Sequence, residues 1–171
     1  MNGGAMMKHL GISVLAAIVA AGWSLPVTAQ AAGLAQQVRQ ANARFGDVKT
    51  AIAEGYAPIP CASGVDGGAM GIHYVNALLI ADEKIDLARP EAIMYEPGVD
   101  GTMTLVAVEY ITTKGPATLG GHLFSFTNAP NRYGLPAFYE LHVWAWKTNP
   151  RGAFADMNPD VSCEHAHDMA N

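Results

Sequence analysis

The sequence predicts an α+β fold: an N-terminal amphipathic helix followed by an antiparallel sheet of about four to five strands. Three observations lead there. Apolar residues recur at helical spacing over 33–55. Several later segments are short runs of apolar, aromatic and β-branched residues. Those segments are joined by turn residues, as antiparallel neighbours are.

The first 31 residues read as an address. Lys8 and His9 precede an apolar run over 10–21, followed by Ser24-Leu25-Pro26 and the small-residue stretch Val27-Thr28-Ala29-Gln30-Ala31. That is the order of a secretory signal peptide, with cleavage expected after Ala29 or Ala31. The run is short of the roughly 20 apolar residues that span a bilayer. The expected organisation is therefore a signal peptide over 1–31 and a single exported domain over 32–171. The location would be periplasmic or secreted, with no stable membrane span after cleavage.

In the expected helix, Leu34, Val38, Ala41, Phe45, Val48 and Ile52 form one stripe, and Arg39, Gln40, Arg44, Lys49 and Glu54 lie off it. Gly46 weakens its middle, and Gly55 ends it. Pro58-Ile59-Pro60-Cys61 leads into a glycine-rich stretch over 64–71 that has neither a G-x-G-x-x-G order nor a Lys-Ser/Thr ending, so a turn is expected there, not a phosphate loop. A strand over 72–75 follows, then a loop with one helical turn over 76–90. Strands over 92–96 and 103–112 flank Pro97-Gly98-Val99-Asp100-Gly101, which predicts a hairpin. A short strand is expected over 122–127 and a longer one over 138–147. The tract 148–162, with two Asn-Pro pairs and Gly152, reads as a surface loop.

The charge balance narrows function. Ten basic against fifteen acidic residues give a net charge of −5. That excludes the basic surface a nucleic-acid partner requires. Cys61 and Cys163 lie far apart and form no C-x-x-C, so in an oxidising compartment they are expected to pair.

Strand parity then points to chemistry. In 103–112, Leu105, Ala107, Glu109 and Ile111 should share one face, and Val106, Val108 and Tyr110 the other. In 138–147, Glu140, His142, Trp144 and Trp146 oppose Leu141, Val143 and Ala145. Apolar residues on both faces imply a sheet covered on both sides. Glu109, His142 and His73, each set in such a run, would be costly unless paired, hydrogen-bonded or bound to metal. Two imidazoles and a carboxylate suit a divalent transition metal with open positions for water or substrate, and Glu140 would accept from a ligand imidazole. The competing reading makes the three satisfied core polar groups. Tyr110, Trp144 and Trp146 could instead line an apolar pocket. His165 and His167 form an H-x-H in the tail, and His122 follows two glycines; both read as peripheral. No serine lies in a G-x-S-x-G elbow.

Several segments resemble a group of small exported bacterial proteins of uncharacterised function. They include Gly68-Ala69-Met70-Gly71-Ile72-His73-Tyr74-Val75-Asn76, Met94-Tyr95-Glu96-Pro97 and Leu105-Val106-Ala107-Val108-Glu109-Tyr110. Leu141-His142-Val143-Trp144-Ala145-Trp146 and Asn149-Pro150-Arg151-Gly152-Ala153-Phe154 complete the set. The resemblance implies an exported single domain and brings no activity or site residue with it.

The functional expectation is an exported metal-binding protein on His73, Glu109 and His142, extending to a metal-dependent enzyme acting on a small organic substrate. The alternative is a non-catalytic carrier of a small apolar ligand in the cell envelope. A third role, through protein contacts in the envelope, is equally open to the sequence.

Overall fold

The structure is a computed structural model that describes Met1 and residues 27–64 and 67–166. Most of the expected signal peptide, together with His167, lies outside the described residues. Helix α1 (Val27–Ala41) runs through both expected cleavage points. No helix among the described residues is long and apolar enough to cross a membrane.

The continuous helix expected over 33–55 is divided. After α1 comes a single 3₁₀ turn (Ala43–Gly46) and then helix α2 (Val48–Ala53). The break has a local cause. Asn42 is fully buried and its side-chain amide donates to the carbonyls of Val38 (3.0 Å) and Leu87 (2.8 Å). Asp47 is extended and caps α2 by accepting from the Lys49 N–H. The stripe nevertheless makes core: Leu34, Val38 and Phe45 enter one buried cluster with Val48 packed against it, and Ala51 joins them from off the stripe. Ile52, expected on that stripe, is turned to solvent at 54% exposure.

The remaining chain forms a curled antiparallel sheet in the order β1-β2-β3-β4-β8-β7, six strands where four to five were expected. The strands are β1 (Ala57–Ser63), β2 (Ala69–Val75), β3 (Ala92–Pro97), β4 (Met103–Thr112), β7 (Ser125–Thr127) and β8 (Phe138–Val143). β5 (Thr118–Leu119) and β6 (His122–Leu123) make a separate small hairpin, so the strand expected over 122–127 is split between two sheets. β1 escapes a sequence reading because Pro58 and Pro60 argue against a strand; it lies at the edge of the sheet, where a missing N–H is tolerated. Asn76 caps helix α3 (Ala77–Asp82) by accepting from the Leu78 and Leu79 N–H groups.

One face of the sheet packs on the helical layer. Ile72, Tyr74, Ile93, Tyr95, Val108 and Tyr110 share a cluster with Leu34, Val38 and Phe45. Tyrosine hydroxyls pin the layers together: Tyr95 donates to Phe45 O (2.7 Å), Tyr110 to Leu87 O (2.8 Å) and Tyr56 to Pro90 O (2.7 Å). The opposite face carries two smaller clusters, one around Met94, Ala107 and Trp144, the other around Ile80, Ile111 and Phe138. Along β4, Glu109 lies between them.

Parity in β4 is reset by a bulge. Met94 pairs with Ala107 but Tyr95 pairs with Leu105, which leaves Val106 extra. Leu105 therefore joins the helical face, and Val106 joins Ala107 on the other, opposite to the simple alternation. Gly71 marks a second irregularity, where β1 and β2 shift register. Its φ is +91°, and a Cβ there would fall 2.5 Å from Tyr95 O, so only glycine fits.

Cys61 and Cys163 form the expected disulfide, with Cα atoms 5.8 Å apart across a separation of 102 residues. It fastens the irregular tract after β8 to edge strand β1. Disulfides of this kind persist in oxidising compartments. Reduction should add two hydrogens to the mass. It should also lower the unfolding free energy by about 2–4 kcal/mol, read from denaturant midpoints with and without reductant.

Glu91 is fully buried; its Oε2 accepts from Ile111 N–H (2.9 Å) and its Oε1 has no partner. Burial pushes its pKa up from 4.5 to about 8, against the pull of the Ile111 donor. Between those values unfolding releases the Glu91 proton, so stability falls as pH rises through that window. Glu91→Gln should flatten this slope. Relative to the wild type, the variant should gain roughly 1–3 kcal/mol between pH 5 and pH 8, measured by urea unfolding at both. Parallel pH profiles would show that Glu91 stays ionised in the fold.

Candidate metal centre

Three strands deliver three buried donors to one point. Glu109 and His142 are directly paired across β4 and β8, which puts their side chains on the same face. His73 comes from β2, two strands away from β4. It pairs with Met94 of β3, while Ala92 of β3 pairs with Glu109, so the small Ala92 side chain faces Glu109 from the intervening strand. His73 Nε2 lies 3.4 Å from Glu109 Oε2, and His142 Nε2 lies 3.8 Å from the same oxygen. The two imidazole rings meet edge to face, with centroids 6.0 Å apart.

The three side chains are 0–1% exposed. His73 Nε2, Glu109 Oε1 and both ring nitrogens of His142 have no hydrogen-bond partner. One donor atom from each residue falls within 4.8 Å of the others, so the group could hold a metal ion. Ligand bonds of roughly 2.0–2.2 Å around one ion put neighbouring donors about 3–4 Å apart, the spacing found here.

The surroundings hold the group close to neutral. Burial lifts the Glu109 carboxyl well above its ordinary range, and Glu140 nearby pushes the same way; Tyr133 and Arg132 oppose it. Burial holds the His73 imidazole well below its ordinary value, assisted by Arg132 and His142 and opposed by the Gly71 carbonyl. That carbonyl lies 3.3 Å from His73 Nδ1. A proton on Nδ1, directed at Gly71 O, leaves the Nε2 lone pair facing Glu109 as a metal requires; Arg132 donating to Nδ1 puts the proton on Nε2 instead.

Two loops close over the centre. The β7–β8 connection folds around Asn131, whose side chain accepts from Tyr133 N–H (3.2 Å) and Leu135 N–H (3.2 Å) and donates to Leu135 O (2.8 Å). It brings the Tyr133 hydroxyl to donate to Glu109 Oε2, and Arg132 Nη2 to 3.2 Å from His73 Nδ1. Arg132 also donates to Pro60 O of β1 (2.9 Å), so the loop beside one sheet edge reaches the other. The tract after β8 folds back on itself: Trp144 N–H donates to Ala153 O (2.9 Å) and its indole N–H to Ala155 O (2.6 Å). That places Asp156 Oδ1 3.4 Å from His142 Nδ1.

Glu140 does not take the expected place behind a ligand imidazole. Its Oε1 accepts from the Thr127 hydroxyl, and Asp156 is the carboxylate that faces His142. Nor do the three aromatic residues form one lining. Tyr110 is buried on the helical face and Trp146 packs against that cluster, while Trp144 belongs to the cluster on the other face. His122 stacks on Phe154 at 4.1 Å and takes no part in the centre. Arg132, Tyr133 and Asp156 were not legible in advance, because each sits in a loop without local motif spacing.

No known protein family, curated protein or solved structure matches this chain. Tyr133→Phe tests the lid. The ring would keep its contact with Phe138 (centroids 5.4 Å apart), while Glu109 loses its donor. The expected cost is about 1–3 kcal/mol by urea unfolding of metal-free protein, and a neutral result would show that water replaces the hydroxyl.

Proposed function

We propose that this protein is an exported metal-binding protein, acting as a metal-dependent enzyme on a small organic substrate, with His73, Glu109 and His142 as ligands of a divalent transition metal. One observation carries the reading: three buried donor groups from three strands converge on one point, where the unpartnered Nε2 atoms of His73 and His142 both face Glu109 Oε2. A core that needed only internal polar contacts would pair these atoms, since each buried orphan costs about 1–3 kcal/mol. An ion satisfies all three together. Two imidazoles and one carboxylate leave coordination positions free, and a bound ion would supply Lewis-acid activation of water or substrate. Strands hold such ligands more rigidly than loops do.

A cavity of about 380 Å³ next to the centre supports a small solute as the substrate; Arg132, Tyr133, Glu140 and Asp156 are among its walls. Export rests on the N-terminal sequence pattern, with the disulfide as supporting chemistry. The apolar-carrier reading has weaker support, because its expected aromatic lining is divided between the two faces of the sheet.

Elemental analysis of the full chain, purified without a polyhistidine tag and reconstituted with Zn(II), Mn(II), Fe(II) or Cu(II), decides the matter. At least one ion per chain is expected, with a rise in Tm on loading. A variant with alanine at 73, 109 and 142 should hold none. Wild-type protein that binds none of these ions, or an alanine variant with unchanged metal content, would overturn the reading.

A further inference from the structure

His142 presents one ring nitrogen to each of two ligand groups. Its Nε2 points to Glu109, 3.8 Å away, on the side shared with His73. Its Nδ1 points the other way, to Asp156 Oδ1 at 3.4 Å. Neither nitrogen has a hydrogen-bond partner, although the side chain is 1% exposed. A neutral imidazole carries one N–H and one lone pair, and here both lack a satisfied contact. One ion at the inner position answers only Nε2.

Glu140, His142 and Asp156 form a second group whose donor atoms lie within 4.8 Å of one another. Glu140 and His142 alternate on one face of β8, and Asp156 is brought over them by the loop anchored on Trp144. The two groups differ in access. None of His73, Glu109 and His142 lines the 380 Å³ cavity, whereas Glu140 and Asp156 both do. An ion held by the first group would be sealed under the lid, and one held by the second would face a solute in the cavity.

Charge points the same way. The two groups together contribute three carboxyl groups, Glu109, Glu140 and Asp156, against one arginine, Arg132, which stands beside His73 and shares the cavity with Glu140 and Asp156. A divalent ion at the inner position leaves Asp156 facing His142 Nδ1, with Glu140 within 4.8 Å of the same group, and no cation among them.

We propose that the protein holds two divalent metal ions bridged by the His142 imidazole: an inner ion on His73, Glu109 and His142 Nε2, and an outer ion on Glu140, Asp156 and His142 Nδ1. The inference rests on the metal-centre reading above and extends it to the ion that meets the substrate. When the second ion binds, the remaining imidazole N–H proton is lost to solvent and the ring bridges as an imidazolate. No electron changes hands in this step. The inner ion then fixes the charge and orientation of the bridge, and the outer ion keeps open positions toward the cavity.

Copper(II) reports both count and bridging. Metal-free full-length protein titrated with Cu(II), then freed of loose ion, should hold two ions per chain. Its electron paramagnetic resonance signal should integrate to much less than the copper present, because an imidazolate couples the two spins antiferromagnetically. Asp156→Asn, at a half-exposed loop position, should hold one ion and recover the full signal of isolated Cu(II). One ion per wild-type chain would overturn the inference and leave the inner centre standing. Two ions with a fully integrating signal would also overturn it, since His142 would then not bridge. Two ions in Asp156→Asn would remove Asp156 from the outer site. No ion in any form would overturn the metal reading itself, and this inference with it.

Discussion

Glu109 sits on β4, inside the sheet with three strands on one side and two on the other, and its carboxyl group has no exposed surface. Taking an ionised carboxylate out of water costs several kcal/mol even after relaxation. The fold surrounds the group with polar atoms from three other segments, His73 of β2, His142 of β8 and Tyr133 of the lid, while Glu140 of β8 adds to the cost. Without a cation, burial favours a protonated Glu109 beside a neutral His73 imidazole. With a divalent ion the carboxylate becomes favourable in the same place, because the positive charge replaces the lost hydration. The same geometry thus serves both states, and the choice between them depends on what occupies the centre.

The two sides of the sheet follow different rules as a result. The helical side is a mainly apolar core, in which tyrosine hydroxyls reach backbone carbonyls, with buried Glu91 close to Tyr56 and Tyr110. The opposite side is covered largely by irregular chain. Its covering loops are held by asparagines: Asn131 organises the lid, Asn149 donates to Met157 O (3.1 Å), and Asn158 donates to Thr148 O (3.1 Å). A loop so fixed can place Tyr133 or Asp156 with the accuracy usually supplied by a strand. The disulfide adds the covalent tie, holding Cys163, at the end of this tract, to β1 beneath it.

Much of the scaffold was legible because it obeys simple periods. β4 spans the expected residues, β3 extends only one residue further, and the hairpin between them has the turn its Pro-Gly and Asp-Gly pairs imply. That Glu109, His142 and His73 need partners was legible from their place in apolar runs, whereas the direct pairing of Glu109 with His142 depends on the strand register. What escaped had physical reasons. The helix break turns on a buried Asn42 whose partner, Leu87, is 45 residues away. The bulge at Val106 leaves no trace in composition. Arg132, Tyr133 and Asp156 become neighbours of the ligands only through loop closure, which no local spacing encodes.

The distribution of unpaired atoms separates a metal centre from a buried polar network. In a network, each donor finds an acceptor and the group becomes rigid as a closed set. Here His73 Nδ1 meets either Gly71 O or Arg132, according to the tautomer, and Glu109 Oε2 accepts from Tyr133. The Nε2 atoms of His73 and His142, which both face Glu109 Oε2, make no hydrogen bond, and neither does Glu109 Oε1. Contacts of 3.4 and 3.8 Å are too long for hydrogen bonds between the three but suit atoms that share a small central cation. A core assembled for stability alone would close that gap by moving side chains a few tenths of an ångström. Three strands in fixed register, with a lid braced on the far edge of the sheet, hold it open.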